Sequence, residues 1–307
     1  MKKIAIVIPA YNEEACVEEL ARRLKVVFDL ESKYTWEVTF VENGSVDSTF
    51  VRLLAINQTD KRFRVLQLSR NFRMDGGLTA GLNFIDADAC VIMTADLQDP
   101  PELIPEYLRK WEEGYENVYG VVQKRVGTPL LRRLNSRLFY KLANWLSEGL
   151  IPRNASDFRL VDRKVYEAVR EMNERNRFVR GLFAWVGFKS IGIPLERPPR
   201  YGGVSNAHSL QVIDLAIKGI FGHSYKPLRL ISIIGLILSL ISFASIAVIS
   251  FFALTRGVPF AGFGTLISLI LGGIGIQALM LGIIGEYLAL VYEESKHRPN
   301  YIIRQYI

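Results

Sequence analysis

The chain has 307 residues, enough for one large α/β domain and an appendage but too few for three ordinary domains. Half of it is hydrophobic (50%), which is high for a soluble protein, and the surplus lies after Pro227; the formal charge of +7 implies an anionic partner or surface. Two cysteines, Cys16 and Cys90, sit in apolar runs without metal-ligand spacing, which argues against a disulfide framework and reads as buried thiols in a reducing compartment.

Met1-Lys2-Lys3 leads straight into an apolar run too short for a signal-peptide core, so no signal peptide is expected. Ile4–Ile8 is continuously apolar, as a strand buried on both faces should be. A helical pattern follows to about Phe28, with Asn12 as its expected N-cap and Glu13 and Glu14 in the first turn. Trp36–Val41 is the next strand, ending in Glu42-Asn43-Gly44-Ser45, with a helix from about Asp47. Arg64–Leu68 is a third strand, followed by a loop and a glycine-opened helix through Asp86. Ala89–Met93 is a fourth, ending in Thr94-Ala95-Asp96-Leu97-Gln98-Asp99. Asp99 is expected to cap the helix that Pro100-Pro101-Glu102 opens, and Val118–Val122 is a fifth strand.

This order predicts a mostly parallel sheet with helices on both faces. Ligands of such sheets bind beyond the carboxyl ends of the strands, where Pro9, Tyr11, Glu13, Glu42, Asn43, Asp96, Gln98 and Asp99 would meet. No P-loop, dinucleotide glycine motif, zinc-protease motif or serine-triad spacing is present, and the three histidines are scattered. What remains is carboxylate and amide oxygen, the donor set of a hard divalent cation.

Farther along, Leu130, Leu134, Leu138, Leu142 and Trp145 recur at helical spacing among Arg132, Arg133, Arg137 and Lys141. That pattern suits a basic amphipathic helix in the headgroup layer, or equally an ordinary domain helix. Leu210–Phe221 repeats it and leads toward the uncharged run Leu230–Leu254. A second uncharged run spans Gly257–Gly285, with a core near Gly264–Ile284, and Gly272, Gly273, Gly275, Gly282 and Gly285 suit close helix approach in lipid. About 20 apolar residues cross a bilayer, so two membrane-spanning helices are predicted. Lys218, Lys226 and Arg229 before them and Lys296, Arg298 and Arg304 after them place both termini in the cytoplasm, with only Arg256 between. Domain bounds follow: a cytoplasmic domain over 1–205, an interfacial helix over 206–228, the membrane region over 229–287 and a cytoplasmic tail over 288–307. Nucleic acid is not expected as a partner, because the basic residues gather near the membrane side.

Several stretches together resemble the family 2 glycosyltransferases of GT-A fold, in particular the polyisoprenyl-phosphate sugar transferases. They are IPAYNEE at Ile8–Glu14, SRNF at Ser69–Phe72, ADLQDPPELIPE at Ala95–Glu106, SDFRLVDR at Ser156–Arg163, ERNRFVRGLFAWVGF at Glu174–Phe188 and GIIGEYLALVYEESKHRPNYII at Gly282–Ile303. The resemblance runs over essentially the whole chain. It implies inverting transfer of a sugar from a UDP- or GDP-sugar to undecaprenyl or dolichyl phosphate at the cytoplasmic leaflet of the cell membrane. Mg²⁺ or Mn²⁺ would sit on Asp96 and Gln98. Asp157 would have a catalytic or acceptor-orienting role, with Asp96 and Arg159 in the catalytic set. Pro9, Tyr11, Glu13, Val41, Glu42, Asn43 and Ala95 would line the donor site. Arg177, Arg180 and Arg200 would grip the acceptor phosphate bidentately. The resemblance and the glycine-rich second span also imply a homo-oligomer.

The chain departs from the family pattern at the site. Glu42 and Asn43 replace paired aspartates, Thr94 replaces the first aspartate of Asp-Ala-Asp, Arg73-Met74-Asp75 follows SRNF, and Asn206 stands where a lysine is expected. Two readings follow: an active enzyme with an altered donor pocket, or a non-catalytic nucleotide- or lipid-binding membrane subunit.

Overall fold

The computed structural model describes residues 1–123, 154–175, 177–198, 201 and 262–307, together with scattered positions between 228 and 255. The amphipathic stretch at 130–146, the juxtamembrane helix at 206–228, Arg200, Asn206 and the first predicted span as a whole lie outside the described residues.

Strands β1 (Lys3–Ala10), β2 (Thr35–Glu42), β3 (Phe63–Leu68) and β4 (Ala89–Ile92) alternate with helices α1 (Val17–Leu30), α2 (Thr49–Thr59) and α3 (Arg73–Phe84). After β4 a short 3₁₀ turn, Pro101–Leu103, leads into α4 (Ile104–Glu112), then β5 (Asn117–Val122). The chain continues through β6 (Ala155–Asp162), α5 (Arg163–Glu171), α6 (Val179–Trp185), β7 (Ser190–Leu195), a long helix α7 (Phe263–Ser295) and β8 (Ile303–Tyr306). The strands form one sheet in the order β7-β5-β6-β4-β1-β2-β3-β8.

Two-sided burial of β1 explains its unbroken apolar run. Ile4, Ile6 and Ile8 enter one core with Leu20, Leu24 and Phe28 of α1 and with Tyr107 and Leu108 of α4. Ala5 and Val7 point the other way, into a second core with Leu78 and Leu82 of α3, Tyr166 of α5 and Phe183 of α6. Period-2 alternation therefore puts helices on both faces, as predicted.

The sheet is more mixed than expected. β1 pairs in parallel with β2 and β4, but β6 inserts antiparallel between β4 and β5, and β8 runs antiparallel along β3. The stretch 288–307, expected as a tail, instead continues α7 to Ser295 and then returns to the domain, with His297 in the left-handed region at φ 49°. Its final strand pairs Leu66 with Tyr306 and Leu68 with Ile303. The physical reason is the open row of β3 backbone groups, which needs a partner.

Helix α7 is 33 residues long, about 50 Å at 1.5 Å per residue. Its described side chains are largely solvent-facing, Leu269, Leu281 and Leu288 being 70%, 60% and 65% exposed. The segment Gly272–Ser295 is long and apolar enough to cross a membrane, the one such helix among the described residues.

Candidate active site

The site begins with local turns that are not what propensity suggests. Asn12 does not cap α1. It takes the left-handed conformation at φ 54°, and the helix starts at Val17. Its side chain instead accepts from Val46 N–H at 3.0 Å, while its own amide donates to Ser45 Oγ at 3.1 Å. Glu13 N–H donates to Thr49 Oγ1 at 2.8 Å. These bonds tie the loop after β1 to the loop after β2, an arrangement that wins over a local cap because it satisfies donors on both loops.

Glu42 and Asn43 are both buried at the end of β2. The register sets Pro9 beside Val41 and Ala10 beside Glu42. Glu42 Oε1 accepts from Ser45 N–H at 2.5 Å, whereas Glu42 Oε2 is buried with no hydrogen-bond partner among the described residues. Asn43 uses both ends of its amide: Oδ1 accepts from Phe72 N–H at 2.9 Å, and Nδ2 donates to the Arg73 carbonyl at 2.8 Å. It holds the SRNF loop in place where Arg73 has φ 63°. An aspartate could make only the first of these bonds. Tyr11 and Glu13 are half-buried on the adjacent loop.

After β4, burial alternates: Thr94, Asp96 and Gln98 are partly open, while Ala95, Leu97 and Asp99 are buried. Asp96 Oδ1 accepts from Thr94 Oγ1 at 2.7 Å and from Gln98 N–H at 3.2 Å. Leu97 between them is buried and left-handed at φ 60°, while Asp96 and Gln98 are partly open. Gln98 Nε2 donates to the Pro198 carbonyl at 3.5 Å. No group of three or more His, Cys, Asp or Glu side chains able to hold a metal ion occurs among the described residues. A carboxylate and an amide carbonyl on one turn still fit a hard cation whose remaining ligands come from a diphosphate and water.

Asp99 is not the expected cap. Its carboxylate is fully buried, accepts from Thr94 N–H at 3.1 Å and Arg197 Nη2 at 3.0 Å, and lies 2.8 Å from Thr94 Oγ1, whose single proton it shares with Asp96. Pro100 occupies the position before the 3₁₀ turn instead. Burial pushes the Asp99 carboxyl up, and Arg197 and Thr94 oppose that without cancelling it. Arg197 also donates to Ser156 Oγ at 2.9 Å, joining the β4 loop to the start of β6.

The antiparallel β6 matters here. With Ile92 opposite Arg159, residues Ser156 and Asp157 extend past the carboxyl end of β4, alongside the Asp96 turn. Asp157 meets Arg180 of α6 in a two-point pair, Nε to Oδ1 at 2.8 Å and Nη2 to Oδ2. Burial pushes Asp157 upward, but Arg180, with Arg159 and Arg197 beyond, holds it below the usual carboxylate range. Arg159 lies beneath this pair, only 4% exposed, stacked over Phe183 at 4.8 Å and donating to the Ser156 carbonyl at 3.1 Å. Burial pulls its guanidinium down to about 10, with Asp157 opposing. Arg177 donates to the Val169 and Met172 carbonyls at the end of α5, at 2.6 and 2.9 Å, a cap that competes with a role at a phosphate. At this sheet edge Asp96 and Gln98 follow β4, and Asp157, paired with Arg180, stands on β6; Glu42 and Asn43 lie at the end of β2, on the far side of β1. Arg197 was not read from the sequence; its signal is the buried Asp99, which needs a cation.

The family model described as glycosyl transferase family 2 matches residues 5–170. A Synechocystis protein described as an uncharacterized glycosyltransferase is 40% identical over 98% of this chain and 94% of its own length. The bactoprenol glucosyl transferase of Shigella phage SfV is 35% identical over 98% of both chains. Among solved structures, the glucosyl-3-phosphoglycerate synthase of Mycobacterium tuberculosis superposes with a TM-score of 0.51 at 20% identity, over 72% of this chain and 78% of that one. This likeness extends to the GT-A type of sheet.

Proposed function

The chain belongs to glycosyl transferase family 2, and on that premise we propose that it transfers a sugar from a nucleoside diphosphate sugar to a polyprenyl phosphate at the membrane surface, with inversion. The carrying observation is the placement of the Asp157–Arg180 pair, by antiparallel β6, at the same sheet edge as Asp96 and Gln98. In this reading a phosphate oxygen of the acceptor attacks the anomeric carbon as the bond to the diphosphate breaks, and the nucleoside diphosphate leaves with the electron pair. A phosphate monoester is anionic at neutral pH, so no general base is required. The demand is to bring two anions together.

Asp96 and Gln98 would hold Mg²⁺ or Mn²⁺, which supplies positive charge for the departing diphosphate. Arg180, oriented by Asp157, grips the acceptor phosphate, with Arg177 and Arg200 as further candidates; Arg159 supports the pair from below. Pro9, Tyr11, Glu13, Val41, Asn43 and Ala95 line the donor site. Glu42 Oε2, buried and without a partner among the described residues, would accept a hydrogen bond from the donor's base or ribose once the loop at Ser45 moves aside, satisfying an oxygen that is costly to leave bare. The name of the phage relative favours bactoprenol phosphate as acceptor. α7 and the uncharged run at 230–254 are read as two spans of a homo-oligomer with its domain on the cytoplasmic side. At two of the substituted positions, Thr94 and Asn43, the side chains hydrogen-bond within the site loops.

The test uses the purified full chain in nanodiscs, a panel of UDP- and GDP-sugars, undecaprenyl or dolichyl phosphate, and Mg²⁺ or Mn²⁺. Lipid-linked sugar should form with one donor and vanish in Asp96→Ala. Product formation that persists in that variant, or that no donor supports, refutes the assignment.

A further inference from the structure

Helix α6 carries the arginine that answers Asp157; besides the core packing of Val179, Leu182 and Phe183, it is tied by hydrogen bonds to distant elements. Its first amide, Val179 N–H, donates to Asp75 Oδ1 of α3 at 2.9 Å. The segment leading into it is held from the far end of the chain. Arg175 N–H donates to Glu294 Oε1, in the last turn of α7, at 2.6 Å. Arg175 Nη1 donates to the Arg298 carbonyl at 3.0 Å, and Asn300 Nδ2 donates to the Glu174 carbonyl at 2.9 Å. The returning chain is also seated on α3. A Cβ on Gly76 would lie 3.0 Å from the Asn300 carbonyl, and Asn83 Nδ2 donates to Tyr301 Oη at 2.9 Å.

Glu294 stands where helix physics disfavours it. The last turn of a helix favours cations, and α7 has no basic residue there. A carboxylate kept against that local preference, and bonded to a backbone amide 119 residues away, serves the tertiary structure rather than the helix.

We propose that Glu294 is a positioning residue for the acceptor subsite: by accepting the Arg175 amide it fixes the lead-in to α6, and with it the Arg180–Asp157 pair, to the end of the long apolar helix. The placement of the phosphate-gripping arginine then depends on α7 being seated. The inference rests on the reading of Arg180 as an acceptor-phosphate ligand.

The experiment compares the full chain in nanodiscs with E294A and E294Q, measuring hydrogen–deuterium exchange of Val179–Trp185 and KM for donor and acceptor separately. E294A should speed exchange across α6 and raise the acceptor KM about tenfold, the scale of one lost charged hydrogen bond, with donor KM unchanged. E294Q keeps an acceptor oxygen and should resemble the wild type. Unchanged α6 exchange, equal rises in both KM values, or E294Q behaving as E294A overturns the proposal. If the wild type forms no product, the transferase reading fails, while the exchange data still decide whether Glu294 positions α6. Should E294A not fold, N300A removes the neighbouring bond to Glu174 and carries the same comparison.

Discussion

Two-point pairing with Arg180 gives Asp157 a definite pH signature. A carboxyl held below its ordinary value contributes stability that is fully present above the unfolded pKa and is lost as pH falls through the folded one. Asp157 therefore stays ionised across about pH 5 to 8, and it should add no acidic limb to kcat/KM in that range. An acidic limb near neutrality that disappears in Asp157→Asn would contradict this. Arg180→Lys keeps the charge but loses the fork, and should lower kcat/KM for the acceptor at least about tenfold. Asn43→Asp is predicted to weaken donor binding, because a carboxylate cannot donate to the Arg73 carbonyl; equal donor KM in mutant and wild type would exclude that role. The polar turn that carries Asp96 and Gln98 after a buried strand was legible in the sequence. The role of Asp99 was not, since its cationic partner, Arg197, lies far along the chain and a local cap was the nearest explanation.

At the level of elements, α3 is pressed onto the sheet just below the proposed donor site. A Cβ on Gly81 would lie 2.3 Å from Val7 Cγ1 and 3.0 Å from Val41 Cγ2. Gly81→Ala should cost about 1–3 kcal/mol and raise donor KM, because the helix must lift from β1 and β2. Unchanged thermal stability would show that the contact yields freely. The strands through β5 and their helices could be read from alternating apolar runs and turns. The antiparallel placement of β6 could not, since strand direction is decided by long-range pairing with β4 and β5 rather than by any local pattern. Yet that direction delivers Asp157 to the site.

Taken as a whole, the molecule is closed by its own C-terminal segment. β8 covers the edge of β3, and Val65 and Ile307 exchange backbone hydrogen bonds of 2.8 and 2.9 Å. Deleting residues 303–307 should lower the thermal midpoint by about 5 °C or more, as calorimetry would show. The apolar content of α7 was plain in the sequence, but its continuation to Ser295 and the return of the chain to the sheet were not, because Tyr301–Ile307 is too short and mixed to read as an edge strand. The whole account turns on Asp96 and Gln98 joining a cation to a diphosphate at the sheet edge. Titration calorimetry of the full chain with UDP and GDP, with and without Mn²⁺, tests this most directly. One nucleotide should bind only with the metal, and Asp96→Ala should abolish that binding. Equal affinity without metal, or in the variant, would contradict the account.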